Sequence, residues 1–296
     1  MSIDRFAAVR SFFRVLTSRV GVFTDSFLDR GRPLAHARLM FEIGKEGADV
    51  RDLRARMNLD SGYLSRMLRA VEKDDLIEIK ALPSDLRAHR ASLTEAGLRE
   101  LQELNRLGDS FVEDTLKPLN EAQRERLVFA MSEVEKLLNL SFARISLEDP
   151  RSPDAKWCLN NFFTELTERF EDGFDIAKSI AVDSEALRPP QGAFLIARLD
   201  GRPVGCGAVT IIQPGVGSIK RMWMSPVVRG AGLGHRLLDA LEKEAAGLGI
   251  ELLRLETNKN LHEAQSLYRR SEYREVPAFN DEPYAHHWFE KRIEPR

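Results

Sequence analysis

Residues 219–234, IKRMWMSPVVRGAGLG, constrain this chain more than any other stretch. An apolar run from Ile219 to Met224 reads as a strand and stops at Ser225-Pro226. Arg229-Gly230-Ala231-Gly232-Leu233-Gly234 follows and opens onto HRLLDALEKEAAGLG, whose leucines recur at helical spacing. Glycines between a strand and a helix let the main chain press closely on a ligand. Their free N–H groups, together with a helix N-terminus, make a site for phosphate. The loop is too short for a Walker loop and lacks the Lys-Ser/Thr that such a loop needs. Its glycines also miss the G-x-G-x-x-G order of a dinucleotide fingerprint.

The stretch resembles the acetyl-CoA signature R/Q-x-x-G-x-G/A of the GNAT acetyltransferase superfamily, with Arg229, Gly232 and Gly234 at its defined positions. Downstream, LRLETNKNLHEAQSLYRRSEY is similar to the next strand and helix of that family, with Leu267-Tyr268 as its L-Y pair. The likeness spans roughly residues 155–292. It implies an α/β fold with a mixed, mainly antiparallel sheet and acetyl-CoA as co-substrate. By resemblance, Arg229, Gly230, Ala231, Gly232, Leu233 and Gly234 would hold the pyrophosphate. The main chain of Met222, Trp223 and Met224 would pair with the pantetheine amides as an added strand does.

The same resemblance makes Tyr268 the proton donor to the leaving thiolate, against a plain packing role on its helix. Relatives often carry a glutamate at the position of Ser218, so Glu256 or a chain of waters is the candidate base. Leu261 stands where an asparagine is common, and the neighbouring Asn260 is assigned to the cofactor; Glu272 replaces a glycine. The acceptor would be a small amine or amino acid. Residues 185–192 and 275–285 would shape its pocket, with Asp281 and Glu282 placed to attract an ammonium or simply solvated.

The first half reads differently. Phe6, Val9, Phe13, Leu16, Val20 and Phe23 follow helical spacing over residues 3–30. Helices follow over Leu34–Ile43 and Val50–Met57, the latter after Asp49, a good N-cap residue. In SGYLSRMLRAVEK, Leu64, Met67, Leu68 and Val71 form one stripe, leaving Ser61, Gly62, Ser65, Arg66, Arg69 and Lys73 largely on the other face. Two β-like runs then flank Pro83-Ser84-Asp85-Leu86-Arg87-Ala88-His89-Arg90. Over roughly residues 5–140 the chain resembles the MarR family of winged helix-turn-helix regulators, with Asp85 and Arg87 as its D-x-R and Leu93-Thr94 and Gly97 after it.

That resemblance implies double-stranded DNA as partner, read by Ser61, Gly62, Ser65, Arg66 and Arg69, with Arg87 reaching phosphates or a minor groove. Asp75 stands where a glycine closing the recognition helix is usual, a modest cost because Asp tolerates the left-handed conformation. Residues 98–145 carry heptad-like leucines that would pair two subunits as a homodimer, or pack within one chain. The expected organisation is therefore a mainly-α winged helix over residues 1–146, a linker over 147–154 (LEDPRSPD), and an acetyltransferase domain over 155–296.

Composition limits the alternatives. A net charge of −2 provides no global basic field, so any DNA contact must be local. Cys158 and Cys206 have no paired or metal-like spacing, and the six histidines are scattered, so no metal site is expected. There is no signal-peptide core and no membrane-length apolar run, so the chain reads as cytoplasmic. The preferred reading is a bifunctional regulator and N-acetyltransferase. The alternatives are a regulator whose second half senses acetyl-CoA without much catalysis, and an enzyme whose first half only dimerises.

Overall fold

The computed structural model describes residues 4–20, 26–82, 85–171, 173–180 and 183–294, with main chain alone for 82 and 85–87. Contacts gather into two compact units, Met1–Val128 and Phe129–Arg296.

The first unit contains α1 (Arg5–Val20), α2 (Leu34–Ile43), β1 (Ala48–Asp49), α3 (Val50–Met57), α4 (Ser61–Lys73), β2 (Ile77–Leu82), β3 (Asp85–Leu93) and α5 (Glu95–Leu116). The unit boundary falls within α6 (Glu121–Phe142). Strands run in the order β1-β3-β2, all antiparallel. The apolar stripe of α4 is buried with Leu39, Met40 and Ile43 of α2, Leu53 of α3 and Leu101 and Leu104 of α5.

Local chemistry sets the turns of this unit. Asp60 caps α4 by accepting from Tyr63 N at 2.8 Å, and Thr94 caps α5 by accepting from Gly97 N at 3.0 Å. Asp49 stands at the start of α3 as expected, but its carboxylate does not cap the helix; Arg90 holds it at 3.1 Å. A guanidinium partner on β3 outcompetes a main-chain N–H for the same oxygen. Asp75 is left-handed, with φ 57°. At Gly97 a Cβ would lie 1.9 Å from the Leu76 carbonyl oxygen, so only glycine lets α5 start against β2. The helix expected over residues 3–30 ends at Val20 in the described chain, and Phe23 lies outside the described residues.

The second unit is an α/β layer structure. Its strands are β4 (Arg144–Leu147), β5 (Gly192–Leu199), β6 (Arg202–Gln213), β7 (Val216–Met224), β8 (Leu252–Thr257), β9 (Arg274–Val276) and β10 (His287–Arg292). Its helices are α7 (Pro153–Arg169), α8 (Leu233–Gly247) and α9 (His262–Arg270). The sheet order is β4-β5-β6-β7-β8-β10-β9; among the described residues only the β7–β8 pair is parallel. The mixed, mainly antiparallel sheet is as expected.

The helical pattern expected over residues 98–145 stops short of its end, and Leu147 opens the expected linker, yet Arg144–Leu147 pairs with β5 as an edge strand. Asp200 and Gly201, with φ 50° and 75°, make the tight β5–β6 turn that their Asp-Gly sequence favours. β5 is buried on both faces. Ala193 and Leu195 join Leu237, Leu238 and Leu241 of α8, while Phe194 and Ile196 join Ala155 and Cys158 of α7. Side chains alternate along a strand, so a continuous apolar run marks a sheet covered on both sides. No described helix is long and apolar enough to cross a membrane.

Candidate acetyl-transfer site

The site is created by an irregularity in β7. Cys206 pairs with Trp223 and Ala208 with Lys220, so Arg221 and Met222 together stand opposite Gly207. Two residues facing one is a β-bulge, which bends its strand and raises the local twist. Arg221 takes a left-handed φ of 58° there. The partner of the bulge must be small: a Cβ on Gly207 would come within 2.7 Å of Leu241 Cδ1. On its other side β7 pairs with β8 only from Val216 to Ser218. Among the described residues the two strands have no ladder pairing beyond that point, and the rest of β7 borders a cleft.

A cavity of about 740 Å³ occupies the cleft, lined among others by Met222, Trp223, Met224, Arg229, Gly230, Gly232 and Gly234. Gly230 and Gly232 have φ of 80° and 88°, conformations open to glycine at little cost. Gly232 is the N-cap of α8 and has no side chain to cap it. The first-turn N–H groups are therefore left for an outside acceptor, with the positive end of the helix dipole behind them. Ala231 and Leu233 do not line the cavity with their side chains, and Leu233 is buried in a small core with Val228.

Arg229 is already engaged by the protein. It donates from Nε to the Met224 carbonyl oxygen at 2.9 Å and from the guanidinium tip to Glu165 of α7 at 2.5 Å. Glu165 also accepts from the Trp223 indole at 2.8 Å and from Arg169 at 3.0 Å. Burial works to raise the Glu165 carboxyl, but the hydrogen bonds from Arg229, Trp223 and Arg169 outweigh it and hold the group below its usual range. Sequence reasoning missed Glu165, because nothing in its helical surroundings marks it apart from other surface glutamates. The Trp223 ring itself is core, edge-on to Trp157 at 5.8 Å.

A smaller cavity of about 120 Å³ adjoins the first, sharing Phe162, Leu166, Met222, Leu261 and Ala264 with it. Tyr268 and Glu256, the two residues expected in catalysis, both line it. Tyr268 packs against Tyr273 and Phe289 at ring distances of 5.9 Å. Burial, reinforced by the Glu256 charge, pushes its phenol far above the usual value. Among the described residues its hydroxyl has no hydrogen-bond partner. Glu256 forms an ion pair with Lys220 and lies 3.4 Å from Asn280 Nδ2. Ser218 is buried at the foot of the cleft, paired across to Arg254.

Asn260 does not line either cavity. Its side-chain amide donates to the Arg169 carbonyl at 2.8 Å, tying the end of α7 to the β8–α9 loop. A short side chain whose amide is committed to the end of α7 has little reach left for a ligand. Asp281 is exposed, whereas Glu282 is buried and accepts from Ser179 Oγ at 2.9 Å and Ile180 N at 2.8 Å. Among the described residues no group of three His, Cys, Asp or Glu is placed to hold a metal.

In the first unit, Ser61, Gly62, Arg66 and Arg69 are exposed on α4 and Ser65 is half-buried there. Arg66 lies over the Tyr63 ring at 5.8 Å. The Arg87 side chain and residues Pro83 and Ser84 lie outside the described residues.

Residues 159–273 match the model of the Acetyltransferase (GNAT) family. A protein named IAA acetyltransferase from Azospirillum brasilense is 36% identical over 122 residues, which are 41% of this chain and 78% of that protein. Among solved structures, an acetyltransferase from Streptococcus agalactiae is 17% identical with a TM-score of 0.44, over 51% of this chain and 99% of that one. A GNAT family acetyltransferase from Elizabethkingia anophelis with acetyl-CoA bound is 12% identical with a TM-score of 0.37, over 51% and 99%. The family match falls on the bulged strand, the glycine loop and α9, and the Azospirillum brasilense relative is covered over most of its length; the chain thus belongs to the GNAT acetyltransferase family, an acetyl-CoA-dependent N-acetyltransferase.

Proposed function

We propose that the second unit acetylates the amine of a small molecule or amino acid, with the larger cavity taking acetyl-CoA and the smaller one the acceptor. The observation carrying this is the bulge at Arg221-Met222, which opens β7 beside the uncapped N-terminus of α8. The main-chain N–H groups from Gly230 through Gly234 receive the pyrophosphate, and the edge of Met222–Met224, where β8 no longer pairs and the Met224 carbonyl is shared with Arg229, receives the pantetheine amides. The acceptor nitrogen attacks the thioester carbonyl, the C–S bond breaks, and Tyr268 gives its proton to the departing thiolate. Glu256, directly or through water, takes the proton that the amine loses. Holding both reactants in adjoining cavities supplies the orientation on which such transfers depend. The test is thiol release from acetyl-CoA against a panel of amino acids, polyamines, arylamines and lysine peptides. Stimulation by a free small amine is expected; stimulation by lysine peptides alone would overturn the small-molecule assignment.

We further infer that the first unit binds double-stranded DNA as a MarR-like winged helix and that the chain works as a homodimer. Support for the DNA reading comes from α4, where Arg66 and Arg69 are exposed and have no ion-pair partner among the described residues. Support for the dimer is the apolar surface left open on three helices: Phe6 and Val9 of α1, Val112 of α5, and Phe129 and Met131 of α6 are all more than half exposed. Single exposed apolar residues are ordinary; several on the same helices suit burial against a second copy. A molar mass of one chain in light scattering at micromolar concentration would remove the dimer.

A further inference from the structure

Lys220, Arg221 and Met222 are consecutive, yet all three line the smaller cavity. In a regular strand neighbouring side chains point to opposite faces, so the middle one should face away. The bulge and the left-handed Arg221 re-aim it. A non-glycine residue is held in that conformation only where the surroundings enforce it, and such positions cluster at binding sites.

The Arg221 guanidinium is partly buried, with one face stacked on the Phe163 ring at 4.7 Å. Its hydrogen-bonding edge is unused: among the described residues no acceptor lies in hydrogen-bond range and no carboxylate within ion-pair distance. Glu282 is the nearby counter-charge, but its carboxylate is occupied by Ser179 and the Ile180 N–H. Donors that line a cavity and meet no protein acceptor are open to a ligand that enters it. A planar fork of donors aimed into a cavity suits a carboxylate above other partners. Phe170, Phe174 and Tyr284 line the same cavity, with ring centroids 4.9 to 5.9 Å apart, an apolar wall that continues from Phe163 through its stack on Phe174.

We infer that Arg221 binds the carboxylate of the acceptor, which makes that acceptor an α-amino acid with an apolar side chain lying against Phe170, Phe174 and Tyr284. The amino group then faces the Glu256 and Tyr268 side of the cavity. This rests on reading the smaller cavity as the acceptor site.

The experiment compares kcat/KM of the full chain for L-leucine and L-phenylalanine with that for isopentylamine and 2-phenylethylamine, which differ only by the carboxylate. The amino acids should be preferred by about 10- to 100-fold, the range of a charge-assisted pair. Arg221→Gln should bring that ratio close to one, and Arg221→Lys should restore part of it. A wild-type ratio at or below one overturns the inference without any variant, as does a ratio that Arg221→Gln leaves unchanged. Turnover of none of the four, while other amines are acetylated, also overturns it. Silence with every amine would instead sink the acceptor-site reading beneath it.

Discussion

Glu165 and Arg229 are joined at 2.5 Å, and the same carboxylate receives the Trp223 indole at 2.8 Å. One side chain of α7 thus ties the first residue of the glycine loop to the strand that borders the cavity. Glu165→Ala would leave a guanidinium and an indole N–H without their acceptor, a loss of about 2–4 kcal/mol in the full chain. Glu165→Gln keeps an acceptor for the indole and should cost about half as much. Denaturant unfolding followed by tryptophan fluorescence measures both.

The same pair has a pH signature. The folded-state pKa of Glu165 lies below its unfolded value, so its stabilisation is fully present above the ordinary carboxylate range. It is lost as pH falls through the depressed folded value. Unfolding midpoints measured from pH 7 down to acid should therefore fall less steeply for Glu165→Gln than for the unmodified chain. Parallel curves would show that the ion pair contributes nothing to acid sensitivity.

Tyr268→Phe removes the proposed proton donor while keeping the ring packed on Tyr273 and Phe289. Turnover should drop by about 10²–10⁴-fold, with acetyl-CoA affinity changed less than about threefold. Because burial keeps the phenol protonated across the working range, the alkaline limb of the pH–rate profile should not arise from Tyr268. An unchanged rate in the variant would remove the residue from the chemistry.

Gly232→Ala tests the loop. Its added Cβ would meet only Leu140 Cδ2 at 3.8 Å, so the penalty comes from the φ of 88° and from the ligand. A left-handed non-glycine residue costs about 1–2 kcal/mol. The variant should also bind acetyl-CoA more weakly, since the proposed pyrophosphate site is the loop backbone; titration calorimetry would read this directly.

Glu272, two residues past the end of α9, has a φ of 67° and is exposed. Glu272→Gly should therefore raise stability by about 1 kcal/mol, a rise of a few degrees in Tm.

For the first unit, Arg66→Ala and Arg69→Ala should each weaken binding to duplex DNA. Each should also lower the slope of log affinity against log salt by about 0.9, the signature of one lost phosphate contact. Slopes unchanged in both variants would count against α4 as the DNA-reading helix.

The glycine loop and its helix were legible because their constraints are local. Positive φ demands glycine, and a helix facing a core repeats its leucines every three or four residues. The Asp200-Gly201 turn and the stripe of α4 were readable for the same reason. Ile145 on β4 was not, since four edge residues after a long helix carry too short a pattern to announce a strand. Glu165, Arg221 and the true partners of Asp49 and Asn260 were hidden for a further reason. Each is defined by a neighbour tens of residues away, and composition or periodicity carries no record of such pairs. The sequence by itself determined where the chain can turn and which faces seek burial. Only the tertiary structure decided which strand bends, because the bulge at Arg221-Met222 exists through pairing with Gly207, and that pairing alone turns an arginine into the cavity.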